Sequence, residues 1–368
     1  MAATTPIASL HVLGSREFGG ADQFYVRLVL ALREAGRPVT AVNRRGSPVA
    51  VALSGSGVEQ LHLPLANQWD LWSVLRMRRL LKARAPCVVQ TYMGRATRLT
   101  RVPAGLPVVH IARLGGFYRI DGYYRHADAW VGNTRAIADY LVREGLRADR
   151  VFQIGNFVPE RRSFSPVERG ERRRLLDILD DARVLFALGR LIEKKGFQDL
   201  LEALARLPRE ISGRSWVMLI AGAGEEGQRL ARQAQALGIA DRVHWLGWQD
   251  PPDPWYDLAD LMIVPSRHEP LGNVILEAWN YRRPVLSTQS DGAMELIRDG
   301  ENGVLVPCAA PAALAAAIER LLASDEAVLA ALGEAGHRDL EAHHGKAVVL
   351  SAYLDLYDRL MRERLGRG

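Results

Sequence analysis

Short apolar runs alternate with longer amphipathic stretches along almost the whole chain of 368 residues. This alternation is the signature of strand–helix units built around parallel sheets. In the first half it predicts strands at 7–12, 38–42, 49–53, 88–92, 108–111, 129–131 and 151–154, with helices at 21–35, 71–84 and 134–144. A second series predicts strands at 184–188, 216–221, 243–246, 261–264, 284–287 and 303–306. Its helices fall at 196–206, 225–236, 272–281, 293–298 and 311–323. Between the two series the chain is polar and Arg-rich without apolar periodicity, so residues 161–174 are expected to be a linker. A final amphipathic run, 346–368, sets Tyr353, Leu356, Tyr357 and Leu360 on one side and is expected to cross back to the first domain.

The expected fold is therefore α/β, with two Rossmann-like domains at 1–160 and 175–345 facing across a cleft. Open sheets of this kind bind ligands at the carboxyl ends of their strands. The length agrees, since 368 residues exceed one ordinary core. No apolar stretch approaches the roughly 18 residues of a membrane span, and the N-terminus lacks a secretory pattern, so a cytoplasmic location is expected. Cys87 and Cys308 stand far apart in unlike contexts and suggest neither a disulfide nor a cysteine metal site.

Charge adds an asymmetry. Residues 1–174 carry 27 Lys and Arg against 13 Asp and Glu, or +14, while the remainder carries 21 against 29, or −8. Of the 48 basic residues 44 are Arg, which accounts for Arg over Lys but not for their uneven placement. A basic half points to an anionic partner: a phospholipid surface, a phosphorylated acceptor or nucleic acid.

The richest chemistry lies in residues 266–278, which follow one apolar strand candidate and open an apolar helix. Gly272 permits close approach of backbone amides, and a helix starting there aims free N–H groups at an anion. Glu269 sits at the loop tip and Glu277 about one turn into the helix, placed to grip hydroxyls of a ligand whose phosphates rest on the helix start. The bland alternative is a capped surface helix with two unrelated glutamates.

These residues form a Ser-x-x-Glu-Pro-x-Gly-x-x-x-x-Glu-Ala pattern that resembles the donor site of glycosyltransferase family 4, the large retaining GT-B group. Four further segments support the likeness in family order: 189–196 (Gly-Arg-Leu-x-x-x-Lys-Gly), 222–225, 243–248 and 299–303. The resemblance implies that Glu269 contacts the transferred sugar and that Leu271, Gly272 and Asn273 offer amides near sugar and diphosphate. It implies that Glu277 binds ribose hydroxyls and that Arg190 and Lys195 hold the diphosphate. Gly222 and Gly224 form the family's Gly-x-Gly turn, and Trp248 with Gln249 is expected beside the base. In the first half, Gly19 and Gly20 resemble the family's glycine turn at donor phosphate and acceptor, and His110 is a candidate catalytic residue at a strand end. Residues 155–159 depart from the family's usual Asn-Gly-Val-Asp, which leaves contacts on the hinge side open.

Other readings are weaker. Gly222, Gly224 and Gly227 mimic a dinucleotide fingerprint, but no acidic residue ends the next strand candidate to hold ribose. There is no Asp-x-Asp, no zincin His pair, no Walker lysine and no nucleophile elbow, so neither a metal nor a cofactor is expected. Aromatics do not interleave with the basic residues as a nucleic-acid platform requires. The expected activity is a metal-independent, retaining hexosyltransferase using a nucleotide sugar, with UDP-sugar favoured, and a glycan or lipid-linked acceptor such as lipopolysaccharide core. A GT-B epimerase and a non-catalytic sugar-nucleotide binder are the alternatives. In 71–84, Leu71, Val74, Met77 and Leu81 share a face surrounded by Arg76, Arg78, Arg79, Lys82 and Arg84, with Trp69 and Trp72 just before. That helix either lies on an anionic membrane surface or packs its stripe on the sheet.

Overall fold

The computed structural model describes residues 6–366, and the chain divides into two compact units, 1–159 with 344–368, and 160–343. The first is built on seven parallel strands: β1 (Ala8–Leu13), β2 (Val39–Asn43), β3 (Glu59–His62), β4 (Cys87–Tyr92), β5 (Val108–Leu114), β6 (Ala129–Gly132) and β7 (Val151–Gln153). Their order is β3-β2-β1-β4-β5-β6-β7, so the winding reverses between β1 and β4. β2, β4, β5 and β6 are buried at every position, as expected where helices cover both faces of a parallel sheet. Helices Gly20–Glu34 and Lys346–Arg364 share one core through Phe24, Leu28, Tyr353, Leu356, Tyr357 and Leu360. Helices Leu71–Arg84 and Met93–Leu99 close the other face through Met77, Leu81, Ala96 and Leu99. The last two residues of the expected C-terminal run, 367–368, lie outside the described residues.

Three expectations change here. Residues 49–53 are not a strand: Ser47 caps a short helix, Pro48–Ala52, by accepting from the Ala50 amide, with Pro48 at its first position. The strand at this step is the polar β3, held by its pairing with β2 rather than by apolar content. The stripe on Leu71–Arg84 is core at Met77 and Leu81, whereas Leu71 is 73% exposed. Of the stripe, Met77 and Leu81 therefore pack on the sheet.

The second unit contains β8 (Arg183–Leu188), β9 (Glu210–Ile211), β10 (Arg214–Ala221), β11 (Val243–Gly247), β12 (Leu261–Val264), β13 (Val285–Thr288) and β14 (Val304–Val306). Six strands run parallel in the order β11-β10-β8-β12-β13-β14, and β9 pairs antiparallel with β10. The reversal falls between β8 and β12. Part of the expected linker is the helix Pro166–Leu175, started by a capping box in which Ser165 and Glu168 satisfy each other's backbone amides. Its polar composition had hidden it, because it buries no residue. Arg169 fastens it to this unit through a forked pair with Asp257, at 2.5 and 2.9 Å.

Candidate donor site at the strand reversal of the second unit

The loops after β8 and β12 are zipped together by backbone. The Arg267 and His268 amides both donate to the Lys194 carbonyl, at 2.9 and 3.1 Å. Gly196 has φ +68°, and a Cβ there would lie 1.9 Å from the Pro265 carbonyl oxygen, so glycine is required for the two loops to meet. The turn after β10 closes on the same loop. A Cβ on Gly222 would lie 1.9 Å from the Gly189 oxygen, and one on Gly224 2.3 Å from the Leu191 oxygen. The two expected donor-site glycines thus hold the turn after β10 against the turn after β8. Arg267 adds a forked pair to Asp199, both contacts at 2.7 Å, which fixes the β12 loop to the helix Phe197–Leu204.

This frame brings several expected residues together. Lys195 and Glu269, from the two loops flanking the reversal, form an ion pair in which both side chains are largely buried. Arg190 is exposed, and its guanidinium has no hydrogen bond or ion pair among the described residues. Leu271 and Gly272 are buried, and Gly272, at φ +77°, begins the helix Asn273–Asn280 with no side-chain cap. Gly292 donates its amide to the Glu269 carbonyl at 2.7 Å and stands so close to Leu271 that a Cβ would lie 2.3 Å from the Leu271 carbonyl carbon. Glu277 accepts from the Tyr256 hydroxyl at 2.9 Å. A free guanidinium, a lysine–carboxylate pair and an uncapped helix start therefore lie at the loops around one reversal point. Such a place can receive a diphosphate and the hydroxyls attached to it.

Trp248 is 57% exposed, while Gln249 is already engaged, donating to the Leu246 carbonyl at 2.6 Å and accepting from Trp255 at 2.9 Å. In the first unit Gly19 and Gly20 are exposed at the start of a helix, with the Gly19 amide on Asp22 at 2.9 Å. His110 lies inside β5, which runs on to Leu114, rather than at a strand end. It is 1% exposed and contacts Thr91 Oγ1 at 3.0 Å, and burial drives its pKa well below the ordinary value. As placed, His110 is packed inside the first unit's sheet.

Sequence reasoning passed over Tyr256, Asp199 and Gly292. Only Gly292 had a signal, a glycine just beyond an apolar strand; the other two act through partners 21 and 68 residues away.

Comparison with known proteins places the chain in a family. The family described as "Glycosyl transferases group 1" matches residues 168–339. The lipopolysaccharide core biosynthesis glycosyltransferase LpsE of Rhizobium meliloti (strain 1021) is 35% identical over 339 residues, spanning 92% of this chain and 95% of its own. LpsD of the same organism, also a lipopolysaccharide core biosynthesis glycosyltransferase, is 30% identical over 350 residues, spanning 94% and 97%. Among solved structures, Anabaena HepE in complex with UDP and glucose has a TM-score of 0.80 at 18% identity, covering 96% of this chain and 100% of that one. At that identity the likeness speaks for the fold.

Proposed function

Because this chain belongs to the group 1 glycosyl transferases, we propose that it moves a hexose-type sugar from a nucleoside diphosphate donor to a glycan acceptor with retention of configuration, as a family 4 enzyme needing no metal. The observation that carries the reading is the charge arrangement at the second reversal point: a free Arg190 in the loop after β8, which also carries the Lys195 that pairs with Glu269. Donor binding exchanges partners. Lys195 turns to the diphosphate, where it and Arg190 stabilise the charge that builds on the departing nucleotide, and Glu269 turns to sugar hydroxyls. Leu271, Gly272 and Asn273 supply amides at the helix start, and Glu277 holds the ribose. The acceptor attacks from the face the nucleotide leaves, within a tight ion pair, and the diphosphate takes its proton.

Replacing Lys195 by Ala is expected to lower kcat by about 100-fold or more, with the fold intact by circular dichroism. Wild-type turnover in that variant, or in Glu269→Ala, refutes the assignment. UDP is the favoured nucleotide, on the breadth of its use in the family. Thermal shifts with UDP, GDP and ADP test this separately, and a clear preference for GDP or ADP removes UDP without touching the transferase reading.

The names of the two relatives favour lipopolysaccharide core as the acceptor, and with it we propose a place on the cytoplasmic face of the cell membrane. Among the described residues no helix is long and apolar enough to cross a membrane. A surface patch offers another means of attachment: Trp69, Leu71, Trp72 and Leu75 are 47–73% exposed, and Arg76 and Arg98 lie over the Trp72 and Trp69 rings. Aromatic and aliphatic side chains flanked by arginine suit the boundary between headgroup and acyl chain.

A further inference from the structure

The strand reversal of the first unit carries its own group of charges, one that the donor chemistry leaves unused. Arg16 follows β1, Arg44 follows β2, and Arg95 lies in the helix Met93–Leu99 that follows β4. These are three neighbouring strands spanning the reversal. Arg44 and Arg95 each donate from Nη1 to the same acceptor, the Leu65 carbonyl oxygen, at 3.0 and 3.2 Å. Leu65 presents that oxygen from a left-handed conformation, φ +42°, with its side chain packed where Gly14 has no Cβ. Two cations thus meet on one neutral oxygen. The field of Arg16 reaches Arg44: burial first, then Arg16 and Arg95, hold the Arg44 guanidinium below its ordinary pKa.

No carboxylate among the described residues forms a direct pair with these charges. Among the described residues none of the three forms an ion pair, and Asp70, whose charge Arg44 feels, uses its oxygens on the Ala66 and Ser73 amides and the Ser73 hydroxyl. A guanidinium has five donors; Arg44 uses one and Arg95 only Nη1, so the forks that suit an oxyanion are left over. Like charges gathered without an ion-paired carboxylate, at the point where doubly wound sheets bind ligands, are complementary to an anion from outside.

We propose that Arg16, Arg44 and Arg95 receive an anionic group on the acceptor glycan, a phosphate ester or a sugar carboxylate. The inference rests on the transferase reading for the word acceptor, but its test does not. Full-length protein is titrated with inorganic phosphate and, separately, with glucuronate, while the arginine Nε–H resonances are followed by NMR. Saturable shifts at Arg44 and Arg95 are expected with at least one probe, and the stronger probe names the anion. Arg44→Gln with Arg95→Gln, read at the remaining Arg16 Nε–H, should abolish saturable binding. Arg16→Gln, at an exposed residue with no hydrogen bond to lose, should weaken the affinity several-fold without changing the melting temperature. The donor-induced thermal shift should persist in every variant; if it is missing from the wild type, the transferase reading fails and not this one. No saturable shift with either probe, or unchanged affinity in Arg16→Gln and the double variant alike, overturns the site.

Discussion

Both sheets reverse their strand order once, but they furnish the loops at the reversal by different means. In the second unit, glycines at 196, 222, 224 and 292 let backbones approach to distances that no side chain permits, and a few charges are set into that frame. In the first unit the corresponding place is lined with arginine side chains. Net charge follows the same division. The first unit, 1–159 with 344–368, has 26 Lys and Arg against 13 Asp and Glu, or +13, and the second, 160–343, has 22 against 29, or −7. A backbone-built site suits a ligand part common to many enzymes, such as a diphosphate. A side-chain-built site can change its specificity by substitution while the fold stays as it is.

The largest effect expected from breaking this contrast is at Gly222. Its φ of +144° and the 1.9 Å approach to the Gly189 oxygen mean that Gly222→Ala must displace backbone. A loss of about 3 kcal/mol or more in urea unfolding is expected, together with the donor-induced thermal shift. Unchanged stability and donor binding would show that the glycines are incidental to the site. Glu277→Gln comes next: if Glu277 holds the ribose as proposed, one charged hydrogen bond is lost, and nucleotide affinity should fall about tenfold in calorimetry. An unaltered affinity removes Glu277 from the donor site.

Acid should separate the units as well. His11 and His110 are fully buried in the first, and burial brings the His11 pKa down to about 3 and holds His110 well below the ordinary range. His126 is lowered too, by burial and then by Arg101. A depressed imidazole contributes stability above the unfolded-state pKa of about 6.5 and loses it as pH falls towards the folded value. Between pH 7.5 and 5.5 the expected loss is about 1.4 kcal/mol for each fully buried imidazole. Hydrogen exchange in mild urea should show β1 and β5 opening more readily at the lower pH; pH-independent protection there would refute this. The smallest effect concerns the exposed patch. Binding to phosphatidylglycerol vesicles should rise with anionic lipid, fall with salt, and weaken when Arg76, Arg78 and Arg79 become Glu. A wild type that ignores such vesicles at low salt ends the membrane proposal alone.

Much of this was legible in the residues. The helix Leu71–Arg84 was bounded correctly because its apolar period is long and Asp70 caps its start. The loop with Glu269 and Glu277 stood out because a strand, a proline, a glycine and a helix follow in a fixed order, so the chemistry is local. Runs shorter than a helical turn or two carry no such period, which is why 49–53 read as a strand until Ser47 and Pro48 settled it as a helix.

What the sequence by itself determined is the alternation of elements, the division into a basic and an acidic half, and the glycine turns of the donor loops. Tertiary structure decided which loops meet. Lys195 finds Glu269 74 residues away, and Arg44 and Arg95 find the Leu65 carbonyl from opposite sides of the reversal. His110 shows the same dependence, since the length of β5 and the helices over it decide that a candidate site residue is buried. The physical reason is common to all three. Parallel strands are joined by long crossovers, so contacts at their ends are set by the order of strands in the sheet, which no local pattern encodes.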